Sequence, residues 1–291
     1  MTSTPTKIAI TGANGQLGRL VIEALLRQVP ASRIVATVRT PEKGQALAAM
    51  GVEVRMADYD RPETLDRAFA GIDKLLLISS NNMGGRLPQH QAVIDAARRA
   101  GVKLVAYTSL LHADTSPLGL AEEHRQTEAA LKESGLPFVL LRNGWYSENY
   151  AASVPAAVQH RALLGSAGEG RFSWASRADY AAAAAAVLTS EADQAGRVYE
   201  LAGDEAYTLA EIAAEIGRQS GEAIAYQDMP EDAYKSVLQQ AGLPEPVAAM
   251  LADSDAGASK GGLYDGGRQI STLIGRPTIT LAAAIADMLK A

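Results

Sequence analysis

A doubly wound parallel α/β sheet, an extended Rossmann fold, followed by a smaller, mainly helical C-terminal lobe is the fold class this sequence predicts. Three observations predict it. Six short apolar segments before residue 145 alternate with segments of helical period. Most of those segments are apolar at every position, as strands covered on both faces must be. The first is followed at once by a glycine-rich turn that opens a helix. Right-handed crossovers then place helices on both sides of the sheet.

The elements follow in chain order. Lys7 to Thr11 (KIAIT) reads as a strand, and Gly15 to Gln28 carries Leu17, Val21 and Leu25 at helical spacing. Ile34 to Arg39 is a second strand, and Thr40 with Pro41 announces a helix by cap and first-turn proline. Val52 to Ala57 is a third strand, and Asp60, Pro62 and Glu63 predict a capping box at the head of a helix ending before Gly71. Lys74 to Ser79, a helix from Pro88 to Ala100, Leu104 to Ser109, a helix from Ala121 to Ser134 and Phe138 to Arg142 complete the first part. Beyond residue 150 the rhythm changes. Leu163 to Gly165 and Arg171 to Ser173 are expected to form a hairpin whose turn uses Gly165, Gly168 and Gly170. An Ala-rich helix at Arg177 to Ser190 precedes a strand at Val198 to Ala202 that returns to the main sheet. Thr208 with Glu211 caps a helix to Gly221, and helices from Glu231 onward are broken at Gly242, Gly257, Gly261, Gly262 and Gly275. The expected domains are 1–150, joined by 197–203, and a lobe at 151–291.

Composition narrows the function classes. At about 150 residues per domain, 291 residues make one large domain or two modest ones. The chain is 47% hydrophobic and 21% charged, average for a globular protein. Its 27 basic and 33 acidic residues, a net −6 without like-charge blocks, argue against nucleic-acid or polybasic membrane binding. With no cysteine, disulfides, thiolate metal sites and cysteine nucleophiles are excluded. The opening MTSTPTKIAITG lacks a signal-peptide pattern, and no apolar stretch approaches the ~20 residues of a membrane span, so a cytoplasmic protein is expected.

The chemistry starts at Gly12-Ala13-Asn14-Gly15-Gln16-Leu17-Gly18, a G-x-x-G-x-x-G turn between the first strand and its helix. A pyrophosphate must approach backbone N–H groups at a helix N-terminus, and a Cβ there would block the approach or the tight turn. In this context the motif predicts a dinucleotide-binding Rossmann unit. An NAD site places Asp or Glu about 20 residues beyond the glycines. Here Arg39 stands at the end of the second strand, and a guanidinium grips a 2′-phosphate that a carboxylate would repel, so NADPH is the expected cofactor. Asp58 and Tyr59 are expected near the adenine. Ser79, Ser80, Thr108, Ser109 and the segment Asn143, Gly144, Trp145, Tyr146 stand at later strand ends, where ribose and nicotinamide are contacted. A polar strand cap accounts for each of them equally well.

No Tyr-x-x-x-Lys occurs in the chain, which disfavours alcohol oxidation or sugar epimerisation by a lysine-tuned tyrosine. The four histidines lack metal-ligand spacing, so no metal is expected. His112 and Asp114 read first as turn formers. Gly257-Ala258-Ser259-Lys260-Gly261 matches G-x-S-x-G, but a nucleophile elbow needs a strand before it and this segment follows a helix. Asp253 and Asp255 begin like a calcium loop, yet Tyr264 stands where the bidentate glutamate belongs.

The segments ITGANGQLG, KLLLISS, AYTSLLHADTSPLGLAEEH, LLRNGWYSENY, VYELAGD and LADSDAGASKGGL resemble the NmrA-like family of atypical short-chain dehydrogenases, and within it the bacterial NADPH-dependent quinone-reductase branch. The resemblance implies an extended Rossmann domain, a small C-terminal lobe and NADPH as hydride donor without a flavin. It assigns the pyrophosphate loop to Gly12 through Gly18, the 2′-phosphate to Arg39 and the nicotinamide-side wall to Asn143 through Asn149. Two departures are Asn143, where many relatives carry proline, and the absence of a lysine on the His124 helix. The expected reaction is direct hydride transfer to a small-molecule quinone held at about 3–3.5 Å, with donors aimed at the quinone oxygen. Tyr146 and Asn143 are the candidate catalytic residues. Trp145 is expected either as a flat apolar contact or as a packing anchor. An NADP(H) redox sensor that passes its state to a regulatory protein partner is the alternative, and a homo-oligomer is left open.

Overall fold

The computed structural model describes residues 6–290. The first strands and helices are β1 (Ile8–Ile10), α1 (Gln16–Leu26), β2 (Ile34–Val38), α2 (Gln45–Ala49), β3 (Glu53–Met56) and α3 (Pro62–Phe69). They are followed by β4 (Lys74–Leu77), α4 (Arg86–Arg99), β5 (Leu104–Leu110), α5 (Ala121–Glu133) and β6 (Phe138–Asn143). The remainder contributes α6 (Ser153–His160), β7 (Ala162–Gly165), α7 (Arg177–Thr189), β8 (Val198–Leu201), α8 (Leu209–Ser220) and β9 (Ala225–Asp228). Four helices close the chain: α9 (Glu231–Gln240), α10 (Glu245–Ala258), α11 (Gln269–Ile274) and α12 (Leu281–Met288).

The main sheet has seven strands in the order β3-β2-β1-β4-β5-β6-β8. β1 pairs in parallel with β2 and β4, β2 with β3, and β4 with β5. The order reverses at β1, so the carboxyl ends of β1 and β4 form the switch point where a ligand binds. β8 returns to the edge beside β6, as the apolar VYELA segment predicts.

Two compact units interleave along the chain. One consists of the chain up to Ser109 with Glu123–Arg142 and Tyr180–Tyr199; the other of Leu110–Glu122, Asn143–Asp179 and the chain from Glu200 onward. The first has a core of aliphatic and aromatic residues, among them Val35, Leu65, Phe69, Ile94, Val105 and Tyr107. The second packs Trp145, Tyr150, Phe172, Trp174, Leu209 and Ile212. Among the described residues no helix is long and apolar enough to cross a membrane.

Several local expectations are corrected. The hairpin at Leu163 to Ser173 does not form: β7 pairs in parallel with β9, and Phe172 instead makes an antiparallel bridge to Tyr207. The loop after β7 is held by side chains, with Ser166 N donating to Asp255 Oδ2 at 3.0 Å, Ala167 N to Tyr226 Oη at 3.0 Å and Gly168 N to Asp228 Oδ1 at 2.9 Å. Thr40 makes no side-chain cap, and Pro41–Gly44 is a 3₁₀ turn before the short α2. Asp60 caps nothing; the N-cap of α3 is Arg61, and the Asp60 carboxylate accepts Gln89 Nε2 at 2.8 Å. Gly257 does not break a helix but lies inside α10, where a Cβ would stand 2.7 Å from Leu118 Cδ1.

Candidate functional site

The glycine turn is built as a cradle. Gly12 takes φ +57°, the left-handed region, so the chain can fold back on itself directly after β1. Gly15 N donates to Gly12 O at 2.8 Å, and Gly15 is the N-cap of α1. A Cβ on Gly18 would meet Gly12 O and stand 2.8 Å from Ala13 Cα, so only glycine lets α1 run this close to the turn. No side chain caps α1, and its first turn holds no acidic residue. Its leading amides and the positive end of its dipole are therefore open to an anion. α8 is closed at the same position, because Thr208 and Glu211 form the reciprocal capping box their spacing predicts.

Beside the turn lies a cavity of about 290 Å³ lined by Ala13, Asn14, Arg19, Lys43, Ala46 and Leu47. Arg19 and Lys43 were not expected there. The signal for Arg19 is its place directly after the third glycine; the signal for Lys43 is its place four residues past Arg39. Arg39 follows β2, is exposed and makes no ion pair among the described residues. Two cations lining the cavity, Arg19 and Lys43, and an open helix end give this corner the charge and the bare amides a nucleotide diphosphate requires.

The other strand ends of the first unit are tightly hydrogen-bonded. Asp58 N donates to Thr64 Oγ1 at 2.9 Å, and the Asp58 carboxylate accepts Asp60 N at 3.2 Å, in the turn that leads into α3. Tyr59 Oη reaches Thr11 Oγ1 at 2.5 Å and Ile78 O at 3.1 Å. Ser79 N donates to Thr108 Oγ1 at 2.8 Å. Ser80 gives its N–H to His90 Nε2 at 2.9 Å and its hydroxyl to Gln89 Oε1. Ser109 Oγ donates to Glu128 Oε1 at 2.6 Å, and Arg142 grips the same carboxylate from Nε and Nη2 at 2.9 and 2.8 Å. Its hydroxyl is thus engaged in a buried network rather than turned outward.

In the second unit, Asn143 ends β6 and Asn143 Nδ2 donates to Tyr146 Oη at 3.4 Å. The phenol oxygen is the acceptor in that contact. Burial raises the Tyr146 pKa above the ordinary phenol value, against the Asn143 hydrogen bond and the nearby Arg177 charge, so the group keeps its proton at neutral pH. The Arg177 guanidinium lies 4.7 Å from the Tyr146 ring centroid, a cation–π contact. Glu148 accepts Arg177 N at 2.9 Å and Asn149 Oδ1 accepts Arg177 Nη2 at 3.0 Å, so the loop from 143 to 149 is tied to the head of α7. Gly144 N donates to Leu201 O at 2.8 Å. Trp145 is 5% exposed and lies in the core of its own unit.

The remaining motifs resolve as turns and helices. His112 has φ 50°, gives its N–H to Glu200 Oε2 at 2.8 Å, and sets its ring 3.3 Å from Asp265 Oδ2. Ser259 follows α10 and donates to Ala256 O, so no strand leads into it. Asp253 and Asp255 both lie within α10. Among the described residues no cluster of three or more metal-ligating side chains is found. A cavity of about 520 Å³ in the second unit is lined by Ser166, Asp228, Glu231 and Lys260 among others, and none of the expected site residues faces it.

A family model of the NmrA-like family matches residues 4–278. The chain belongs to the NmrA-like family. It is 59% identical over 281 residues to Quinone oxidoreductase 2 of Escherichia coli K12, covering 97% of this chain and 98% of that protein. A crystal structure of NADPH-dependent quinone oxidoreductase from E. coli complexed with NADPH superposes with a TM-score of 0.94 at 58% identity, covering 97% of this chain and 99% of that one. Triphenylmethane reductase of Citrobacter sp. complexed with NADP(H) gives a TM-score of 0.93 at 38% identity, covering 97% and 100%. For this NmrA-like chain the doubly wound α/β fold expected from sequence is the fold observed, a mostly parallel seven-stranded sheet flanked by helices with a helical C-terminal part.

Proposed function

We propose that the chain is an NADPH-dependent quinone oxidoreductase. One observation carries this reading: an open glycine cradle and an unpaired Arg39 sit in a chain 59% identical, over nearly its full length, to an enzyme that reduces quinones. The cradle fits the cofactor, because Gly12 and Gly18 leave room where a Cβ would stand and α1 offers uncapped amides. Gly12 through Gly18 would hold the pyrophosphate, with Arg19 and Lys43 lining the cavity beside the turn, and Arg39 would hold the 2′-phosphate. The bound cofactor supplies a hydride.

The chain's own residues then position and stabilise. Asn143 ends β6, and strand ends are where such sheets contact their ligands, which supports 143–146 as the nicotinamide wall that the family resemblance assigns. As hydride reaches the quinone, negative charge develops on its oxygen, and donors pre-aimed at that oxygen lower the barrier. Tyr146 is protonated at neutral pH and its oxygen is braced by Asn143, which suits a phenol to the role of an oriented donor. Arg177 over the ring holds the phenol in orientation. The hydroquinone anion completes its protonation from solvent, so no tuned acid is needed. The reading places the enzyme in the cytoplasm with a small-molecule quinone as substrate.

The test is NADPH oxidation with benzoquinone and menadione as acceptors. Turnover with either supports the reading; tight NADPH binding without turnover of any quinone turns it toward a redox sensor. Tyr146→Phe is expected to lower kcat about tenfold, the effect of removing one oriented donor, with NADPH affinity unchanged. A loss under about twofold takes Tyr146 out of the reaction.

A further inference from the structure

We propose that Arg86, Gln89 and His90 of α4 are positioning residues for the nicotinamide half of the cofactor, acting through Ser80. The inference rests on the dinucleotide reading above. Every polar group of Ser80 is taken by this one helix: its N–H donates to His90 Nε2 at 2.9 Å, its carbonyl accepts Arg86 Nε at 2.8 Å, and its hydroxyl donates to Gln89 Oε1. Positions 86, 89 and 90 stand at i, i+3 and i+4, so they share one face of the helix. All three side chains are buried.

The clamp is itself fixed from behind. Because His90 Nε2 accepts from Ser80, the imidazole proton resides on Nδ1, where it is donated to Thr127 Oγ1 at 2.9 Å; that hydroxyl in turn donates to Glu123 O. Arg86 Nη1 donates to His124 Nε2 at 3.2 Å, which leaves His124 Nδ1–H to donate to Tyr107 Oη at 2.8 Å. Glu123 Oε1 accepts the backbone N–H groups of Gly84 and Arg86, each at 3.1 Å, closing the head of α4. Gln89 Nε2 is held by Asp60. Burial and the Arg86 charge drive the His90 pKa down to about 3, and the same causes hold His124 neutral, so both rings remain acceptors through the working pH range. A buried guanidinium adds little stability over an apolar residue of its size, which points to a role beyond holding the fold.

What the clamp holds is the chain at the switch point. Ile78 N donates to Thr11 Oγ1 at 2.9 Å, and the Ile78 side chain is what a Cβ on Gly12 would meet, at 3.8 Å. The position of 78–80 is thus tied to the first glycine of the cradle. In the order β3-β2-β1-β4-β5, Arg39 marks the adenosine side at β2 and the glycines mark the pyrophosphate at β1. The other half of the cofactor therefore runs over the end of β4, where Ser80 is clamped.

Two ligands separate the halves: NADPH, and adenosine 2′,5′-bisphosphate, which lacks the nicotinamide riboside. Arg86→Met and His90→Leu are each expected to weaken NADPH about tenfold, the effect of one buried hydrogen bond left unmade, while the bisphosphate binds as to wild type. His90→Gln, whose amide oxygen reaches the Ser80 N–H, is expected to recover most of the loss. Unchanged NADPH affinity in folded variants overturns the proposal, and so does an equal weakening of both ligands, which means a general structural effect. Failure of the wild type to bind either ligand instead overturns the dinucleotide reading, and the clamp's role with it. Should the variants not fold, hydrogen exchange of the wild type decides: slow exchange at 79–86 without nucleotide supports a preformed clamp, and fast exchange that slows only on NADPH addition overturns it.

Discussion

Arg39 is one exposed side chain, and on the proposed reading it is the residue that selects the cofactor. A guanidinium beside a 2′-phosphate makes a charge-assisted, bidentate contact, whereas a carboxylate there repels the phosphate and suits a bare ribose hydroxyl. Arg39→Glu is expected to weaken NADPH about a hundredfold and to alter NADH less than about threefold, measured as the ratio of dissociation constants. A ratio that does not move removes Arg39 from the 2′-phosphate site. The place of Arg39 at the end of β2 was legible because its distance from the glycines is a local property of the chain. Lys43 was not, since the segment reads as a helix and the structure makes a 3₁₀ turn at Pro41–Gly44. Arg19 reads as half of an i,i+4 surface pair with Glu23, at 3.2 Å. The roles of His90, His124 and Arg177 depend on partners on other elements, and no spacing encodes such contacts.

Two helices of similar length show how an N-terminus is made open or closed. α1 has glycine as N-cap and no side-chain acceptor, whereas α8 has both halves of a capping box. Thr208→Ala is expected to cost about 1 kcal/mol of stability and to leave NADPH affinity unchanged. Gly18→Ala forces a Cβ to within 2.8 Å of Ala13 Cα, and the turn must yield. It is expected to cost about 1–3 kcal/mol and to weaken NADPH at least tenfold, read by thermal unfolding and by titration of the cofactor. If Gly18→Ala binds as wild type, the cradle is not where the pyrophosphate rests. At this scale the parallel strands and the box at Thr208 were readable, because apolar runs and cap spacing are local. The expected box at Asp60 failed since Gln89, far along the chain, takes that carboxylate. β9 escaped notice because three of its four residues are exposed, leaving no apolar pattern.

Across the whole molecule, buried titratable groups pull stability in opposite directions with pH. In the first unit His90 has its pKa lowered to about 3 and His124 is also lowered, both chiefly by burial. An unfolded histidine takes up a proton near 6.5 while the folded one does not, so this unit loses stability as pH falls from about 6.5 toward 3, by up to about 1.4 kcal/mol per pH unit for each ring. In the second unit burial raises Asp255 to about 7. Its unfolded form ionises near 4, so this unit loses stability as pH rises from about 4 to 7. Asp255→Asn is expected to raise Tm by several degrees at pH 8 and to change it little at pH 4. His90→Gln is expected to flatten the acid limb. Thermal unfolding of the three proteins from pH 4 to 8 checks both, and an Asp255→Asn protein that melts like wild type at pH 8 refutes the assignment. The interleaving of the units carries a consequence for biosynthesis. Translation delivers β6 long before β8, the strand that lies beside it, so a nascent chain exposes the backbone amides and carbonyls of an unfinished edge, the kind of surface that recruits aggregation partners. A polypeptide halted near residue 150 would leave the ribosome in that state, while one that has released Leu201 can seal it.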